Sequence, residues 1–247
     1  MSKSKKARIL LYDLESTPNL GYVWGKFEQN VLSYKSESEL LSVAWKWLGE
    51  SKVHVKTRAD FKDKTDLSVV KVVHELLDEA DLVIAHNGFA FDNKKAFARF
   101  VFHKLKPPSP FRTVDTLKIA RKAFKFNSNS LNDLCEHLGI GSKVKTGGFE
   151  LWLACMAGSK AAFKKMGTYN KHDVTLLEKI YLRFRPWIDN HPNLALINDR
   201  PNGCPNCGHE HVQSKGFVYT NKVQYRKFQC MGCYKSFAGP KTKHNKE

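Results

Sequence analysis

Apolar positions along the chain fall into short runs and helical stripes, and their periods set the expected elements. Ile9-Leu10-Leu11-Tyr12 is an apolar run that ends in Asp13, which predicts a buried strand over residues 7–13. Residues 16–38 show no period and hold Pro18, Gly21 and Gly25, so a long loop is expected there. Leu40 to Leu48 (LLSVAWKWL) and Lys52 to Thr57 (KVHVKT) read as two strands joined by Gly49-Glu50-Ser51, a hairpin signal. Val69, Val73, Leu76 and Leu77 mark the apolar face of a helix over 66–80, and Leu82 to Ala85 is a further strand. A helix over 93–105 is broken by Pro107, Pro108 and Pro110. A short strand over 111–114 and a helix over 115–124 follow. Residues 127–130 (NSNS) cap a helix over 131–138 that Gly139 ends. Residues 149–156, 160–165 and 168–187 read as the last helices.

That order, with strands gathered from well-separated segments, predicts an α/β domain: a mixed sheet flanked by helices. Carboxylates stand at the ends of two of its strands. The 247 residues suffice for one large domain and a small appendage. Lys and Arg number 41 against 24 Asp and Glu, a formal charge of +17, which favours a polyanionic partner, nucleic acid before an acidic membrane surface. No apolar run approaches the ~18 residues of a membrane span. The expected setting is therefore cytoplasmic, or the host cytoplasm if the source is viral, with no membrane partner.

Asp13 and Glu15 are two apart at the end of the first strand. If strand geometry persists through them, both point to one face, and two carboxylates side by side repel unless a proton or cation sits between them. Hard cations such as Mg²⁺ take such ligands. With twelve Asp and twelve Glu in the chain, chance supplies roughly 0.6 such triplets, so the pair gains weight only from its surroundings. Asn87-Gly88-Phe89-Ala90-Phe91-Asp92 follows a strand and opens a helix. Asp92 alone reads as a helix cap, and Gly88 permits a tight turn. Tyr169 and Asp173 are four apart on the last long helix and share a face, where a phenol and a carboxylate can meet one water, or form a plain surface pair. Tyr22, Trp24 and Phe27 in the 16–38 loop are expected to fold back onto the core. Standing free, Trp24 would be a platform for a base.

Taken together, Asp13-x-Glu15, Asn87-x3-Phe91-Asp92 and Tyr169-x3-Asp173 resemble the DEDD superfamily of 3′–5′ exonucleases over about residues 7–190. Tyr169, with Thr168 where the DEDDh branch has His, makes the chain similar to the DEDDy branch, which includes proofreading domains of family B DNA polymerases. Asp115 and the helix from Ser130 resemble that superfamily more loosely. The resemblance implies a ribonuclease H-like fold and two Mg²⁺ or Mn²⁺ ions. It implies that Asp13 bridges the ions, Glu15 and Asp173 complete one shell, Asp92 holds the other ion largely through water, and Tyr169 orients the attacking water. Asn87 and Phe91 are the candidate substrate contacts beside Asp92. The expected partner is a single-stranded stretch or 3′ end of DNA, with RNA as the alternative. A structure-specific endonuclease on the same fold and a binding or recruitment protein with a relic site remain the rival readings.

The C-terminal segment carries its own signal. Cys204-x2-Cys207 and Cys230-x2-Cys233 have the spacing of a four-thiolate Zn²⁺ site, and resemble the zinc ribbons of nucleic-acid proteins. His209 and His211 are expected to be non-ligands. A module this small needs its metal to stay folded. From Arg200 to Glu247 there are nine Lys/Arg and two Glu, and Lys222, Tyr225, Arg226 and Lys227 are candidate nucleic-acid contacts. Cys135 and Cys155 read as small buried apolar residues. The expected organisation is an exonuclease domain over 1–190 and a zinc ribbon with a basic tail over 199–247, joined by a linker or docking strip over 188–200.

Overall fold

The computed structural model describes residues 6–27, 30–63 and 65–241. Residues 1–5 and the basic tail from 242 onward lie outside the described residues. The first strand, Ile9–Ser16 (β1), runs on through Asp13 and Glu15 and is longer than its apolar run predicts. Leu20–Tyr22 (β2) and Ser33–Ser36 (β3) pair antiparallel into a small ribbon where a loop is expected. Leu40–Trp47 (β4) and His54–Thr57 (β5) form the expected antiparallel hairpin. Leu67–Glu79 (α1), Leu82–Ala85 (β6), Asp92–Phe102 (α2), Arg112–Asp115 (β7) and Thr116–Ala123 (α3) follow.

Leu131–His137 (α4) starts at Ser130, whose side chain accepts from the Asp133 N–H, and turns out through Gly139 at φ +64. Glu150–Met156 (α5) comes next. Lys160–Phe184 (α6) is one continuous helix of 25 residues where two are expected. Leu194–Ile197 (α7) is a single turn inside the expected linker. Val212–Tyr219 (β8), Gln224–Cys230 (β9) and Ser236–Lys241 (β10) make a three-stranded antiparallel sheet at the C-terminus.

The main sheet has five strands in the order β5-β4-β1-β6-β7. β1 lies at its centre, antiparallel to β4 and parallel to β6, and β6 is parallel to β7. This is the mixed sheet with flanking helices that the ribonuclease H-like resemblance requires. Alternate residues of β1 serve opposite faces: Leu10, Tyr12 and Leu14 pack with α1 and α2, and Ile9 and Leu11 pack with Val174, Leu177 and Tyr181 of α6. Asp13 and Glu15 continue the second set and so face α6. One buried charge cluster ties the first layer together. Asp66, at the start of α1, accepts Arg99 Nε at 2.7 Å and Nη2 at 2.6 Å from α2, and the Leu40 N–H at 2.9 Å from β4.

The aromatics of the 16–38 segment do not fold back on the core. Trp24 is 87% exposed and Phe27 76%, because they sit in the turn of a ribbon that projects beyond β1. No helix among the described residues is long and apolar enough to cross a membrane.

Candidate active site

Parallel strands β1, β6 and β7 end on the same edge, and the candidate residues collect there. Asp13 pairs in register with Ala44, and Glu15 with Ser42, before a bulge at Glu15/Ser16 bends the strand away. Above them runs α6, held by Asn170, whose Nδ2 donates to Asp13 Oδ2 at 2.6 Å and to the Asp13 carbonyl at 3.2 Å. Ser42 Oγ donates to Asn170 Oδ1 at 3.0 Å. One buried amide thus fixes α6 against both β1 and β4. One helical step on, Asp173 is buried, and an oxygen of each of Asp13, Glu15 and Asp173 lies within 4.8 Å of the others.

Asp92 arrives from the opposite side. β6 ends at Ala85, and the chain turns through Asn87 at φ +67 and Gly88 into α2. A Cβ on Gly88 would stand 2.5 Å from the Ala85 Cβ, so the turn requires glycine. Asp115 organises the same turn: its carboxylate accepts the N–H groups of Asn87 (3.0 Å), Phe89 (3.2 Å), Leu117 (3.0 Å) and Lys118 (3.3 Å). Asp92 then lies buried against β1, its Oδ1 accepting the Leu14 N–H at 3.1 Å. It stands outside the three-carboxylate group, yet close enough for its charge to act on Asp13.

Two residues with no sequence signal complete the arrangement. Lys143, in the segment after α4, donates to Asp173 Oδ2 at 2.6 Å and to the Tyr169 hydroxyl at 3.3 Å. Its own backbone is held by Asn132 (2.8 Å), and the Ser142 carbonyl contacts His172 Nε2 at 2.8 Å, the packed role for a histidine facing away from the site. The second residue is Asn170.

Electrostatics show what the cluster lacks. Burial, and then the charges of Asp92, Glu15 and Asp173, hold the Asp13 carboxyl well above its usual range. Burial followed by Asp173 lifts Glu15 to about 7, and burial chiefly lifts Asp92 to about 7 as well. Tyr169 is raised by burial and by Asp173, so it stays a neutral phenol. Asp173 Oδ1 is buried with no hydrogen-bond partner among the described residues. A set of hard oxygen donors that resists ionising together and leaves one acceptor orphaned fits divalent Mg²⁺ or Mn²⁺.

The four C-terminal cysteines converge within the same 4.8 Å limit. Cys204 Sγ lies 3.7 Å from Cys233 Sγ, and Cys207 Sγ lies 3.6 Å from Cys230 Sγ. Four thiols gathered this closely are the donor set that suits one Zn²⁺ ion. Cys230 Sγ also accepts the N–H groups of Gly232 (3.3 Å) and Cys233 (3.4 Å). His209 Nδ1 instead accepts the His211 N–H at 3.1 Å. Cys135 and Cys155 are buried in apolar clusters, as expected.

The candidate nucleic-acid contacts are dispersed. Asn87 is half-buried in its turn, Phe91 is exposed beside Asp92, and Trp24 stands at the end of the β2–β3 ribbon. On β9, strand alternation puts Tyr225 and Lys227 on one face and Arg226 on the other, in register with the exposed Phe217, while Lys222 lies in the β8–β9 turn.

Among known proteins, a family model described as Exonuclease matches residues 49–145. That segment takes in Asp92 and Lys143 but begins after Glu15 and ends before Tyr169. No curated protein matches the chain. Among solved structures, the family B DNA polymerase from the hyperthermophilic archaeon Pyrobaculum calidifontis is similar with a TM-score of 0.57 at 14% identity, over 78% of this chain and 26% of that one. The likeness is one of fold, and the chain spans about a quarter of the polymerase's length.

Proposed function

We propose that this chain is a metal-dependent 3′–5′ exonuclease that hydrolyses phosphodiester bonds of DNA or RNA. The observation that carries the reading is the meeting of Asp13, Glu15 and Asp173, with Asp92 alongside and Tyr169 on the Asp173 face of α6. The Exonuclease match and the polymerase fold support it from outside the site. Asp13 would serve two ions, Glu15 and Asp173 one of them, and Asp92 the other, with Asp173 Oδ1 the acceptor that lacks a partner without them. When bound, Mg²⁺ or Mn²⁺ supplies positive charge at the entering and leaving oxygens and lowers the pKa of the attacking water.

The side chains do the rest. Tyr169, kept as a phenol, holds that water by hydrogen bonding. Lys143 fixes Tyr169 and Asp173 in one geometry through its 3.3 and 2.6 Å contacts and offsets part of the carboxylate charge. Phe91, exposed at the mouth, offers a face to the terminal base. Cys204, Cys207, Cys230 and Cys233 would hold one structural Zn²⁺. The sheet they anchor, with Arg226, Phe217 and Tyr219 on one face, would grip the substrate backbone and bases. The reading divides the chain into a nuclease domain over 1–190 and a ribbon over 199–247.

The test is a time course on 5′-labelled single-stranded DNA and its RNA counterpart, with Mg²⁺, Mn²⁺ or EDTA, for the wild type and Asp13→Ala. A metal-dependent ladder shortening from the 3′ end, absent in a folded Asp13→Ala, is expected, and the faster substrate identifies the nucleic acid. Discrete internal cuts would replace the exonuclease with an endonuclease on the same fold. Normal turnover by Asp13→Ala would remove the metal-site assignment.

A further inference from the structure

A second cleft opens beside the outer edge of the main sheet, between β7 with α3 and the turn at 185–190. It measures about 390 Å³, within the range of pockets that hold small organic groups. Two aromatic rings border it, Phe89 and Trp187, 41% and 61% exposed. Lys118 and Lys122, one turn apart on α3, project from the same face into its lining. Lys118 Nζ sits 4.0 Å from the centre of the Phe89 ring.

The cleft is lined by two lysines and two acids. Its two acids are already engaged: Asp115 accepts four backbone N–H groups, and Asp189 is bound by Lys235 at 2.9 Å. Among the described residues neither Lys118 nor Lys122 forms a salt bridge. Lysines outside any direct salt bridge, with Lys122 acting on Asp189 only through its charge, beside exposed aromatic rings form the combination that tracks a phosphate backbone while stacking its bases. A duplex hides its base faces in its own stack, so the rings select a single strand.

The position of the cleft gives it a role. Phe89 lies in the turn that ends at Asp92, and its N–H shares the Asp115 carboxylate with that of Asn87. At the other end, Asp189 carries the ribbon residue Lys235. We propose that this cleft is a binding subsite for single-stranded nucleic acid, carrying the strand between the carboxylate cluster and the C-terminal ribbon. It rests on the nuclease reading for its ligand, but it assigns residues that reading does not use.

Binding in EDTA tests it without any need for cleavage. Fluorescence anisotropy would compare 5′-labelled single strands of about 4 and about 16 nucleotides, the span of single-strand site sizes. For the longer strand, Lys118→Gln/Lys122→Gln is expected to reduce the slope of log K against log salt by about 1.4, at ~0.7 per phosphate contact on a single strand. Trp187→Leu, which keeps an apolar side chain beside Phe124, is expected to weaken the same strand about tenfold through lost stacking.

Wild-type slope and affinity in both variants would overturn the subsite, as would a wild type that binds the two lengths equally. Photo-crosslinking of 5-iodouracil-substituted strands to the wild type gives a readout independent of variant folding. Adducts mapped to Phe89 or Trp187 themselves are expected, and adducts confined to other residues, Phe91 included, would overturn the proposal. Absence of cleavage by the wild type in Mg²⁺ or Mn²⁺ would instead count against the nuclease reading, so the two fail separately.

Discussion

Asp92 accepts the Leu14 N–H through Oδ1, yet burial lifts its carboxyl to about 7, and Glu15 reaches the same value. Carboxyls raised in the folded state and ordinary in the unfolded chain bind more protons when folded. Their contribution to stability is therefore present below about pH 4, the ordinary carboxyl range, and lost as pH rises through about 7. Without divalent metal, this site makes the protein less stable at pH 8 than at pH 5, and saturating Mn²⁺ should raise Tm far more at pH 8. Asp92→Asn keeps an oxygen for the Leu14 N–H and removes one charge. It should raise the metal-free Tm at pH 8, shrink the gain from Mn²⁺, and cut turnover by about 100-fold or more if the metal role holds. Thermal melts at the two pH values, with and without metal, check this, and a variant with wild-type pH dependence would show that the carboxylates are not strained against one another. The shared faces of Asp13 with Glu15 and of Tyr169 with Asp173 are legible because strand period two and helix spacing four impose them, whereas Asp92 alone reads as a helix cap and joins them only through the resemblance. Lys143 was not, since it lies in an irregular segment and reaches Asp173 only through tertiary packing. Asn170 was not, because an amide between Tyr169 and Asp173 carries no pattern of its own.

Helix α6 is the element on which sequence and structure differ most usefully. Gly167 and the polar residues near it suggest two helices, yet the backbone runs unbroken from Lys160 to Phe184. The helix is carried by its buried face, including Phe163, Met166, Asn170, Asp173, Val174 and Leu177, and tertiary burial outweighs the ~1 kcal/mol helix penalty of one glycine. A Cβ at Gly167 would meet Val55 Cγ1 at 3.5 Å and Thr57 Cγ2 at 3.6 Å, ordinary contacts. Gly167→Ala should therefore stabilise the protein by about 0.5–1 kcal/mol, read as a shifted denaturant midpoint at constant m. A loss of stability would mean that α6 needs closer approach to β5 than these distances show. The β2–β3 ribbon escaped a periodicity reading for the opposite reason. Its strands have three and four residues, all exposed, so no buried face leaves a mark. The same exposure explains why Trp24 does not return to the core.

At the scale of the whole molecule, the cysteine knuckle is built into the α/β body. Asn206 lies between Cys204 and Cys207, is 2% exposed, and donates through Nδ2 to the carbonyls of Arg185 and Ile188, both at 2.8 Å. The Leu194 N–H reaches the Pro205 carbonyl at 2.8 Å, and Leu194 and Ile188 belong to the same apolar cluster as Ile9 and Leu11 of β1. Of the two readings of residues 188–200, linker or docking strip, these contacts favour the docking strip, a distinction composition could not express because the partners are distant in sequence. If zinc sets the knuckle geometry, it also sets Asn206, and through it the end of α6. A zinc chelator in excess Mg²⁺ should then lower the melting transition of the α/β body as well as that of the C-terminal sheet. Asn206→Ala, which strands two carbonyls, should cost about 1–3 kcal/mol, or roughly 2–4 °C of Tm per kcal/mol for a chain of this size. Scanning calorimetry separates the cases. Coupled modules lose stability together, whereas a tethered ribbon would give two transitions, of which the chelator moves only one. In that second case truncation at 199 would spare the body entirely. In the first, the truncated body would also melt earlier, and any loss of nucleic-acid affinity would have to be measured well below that temperature.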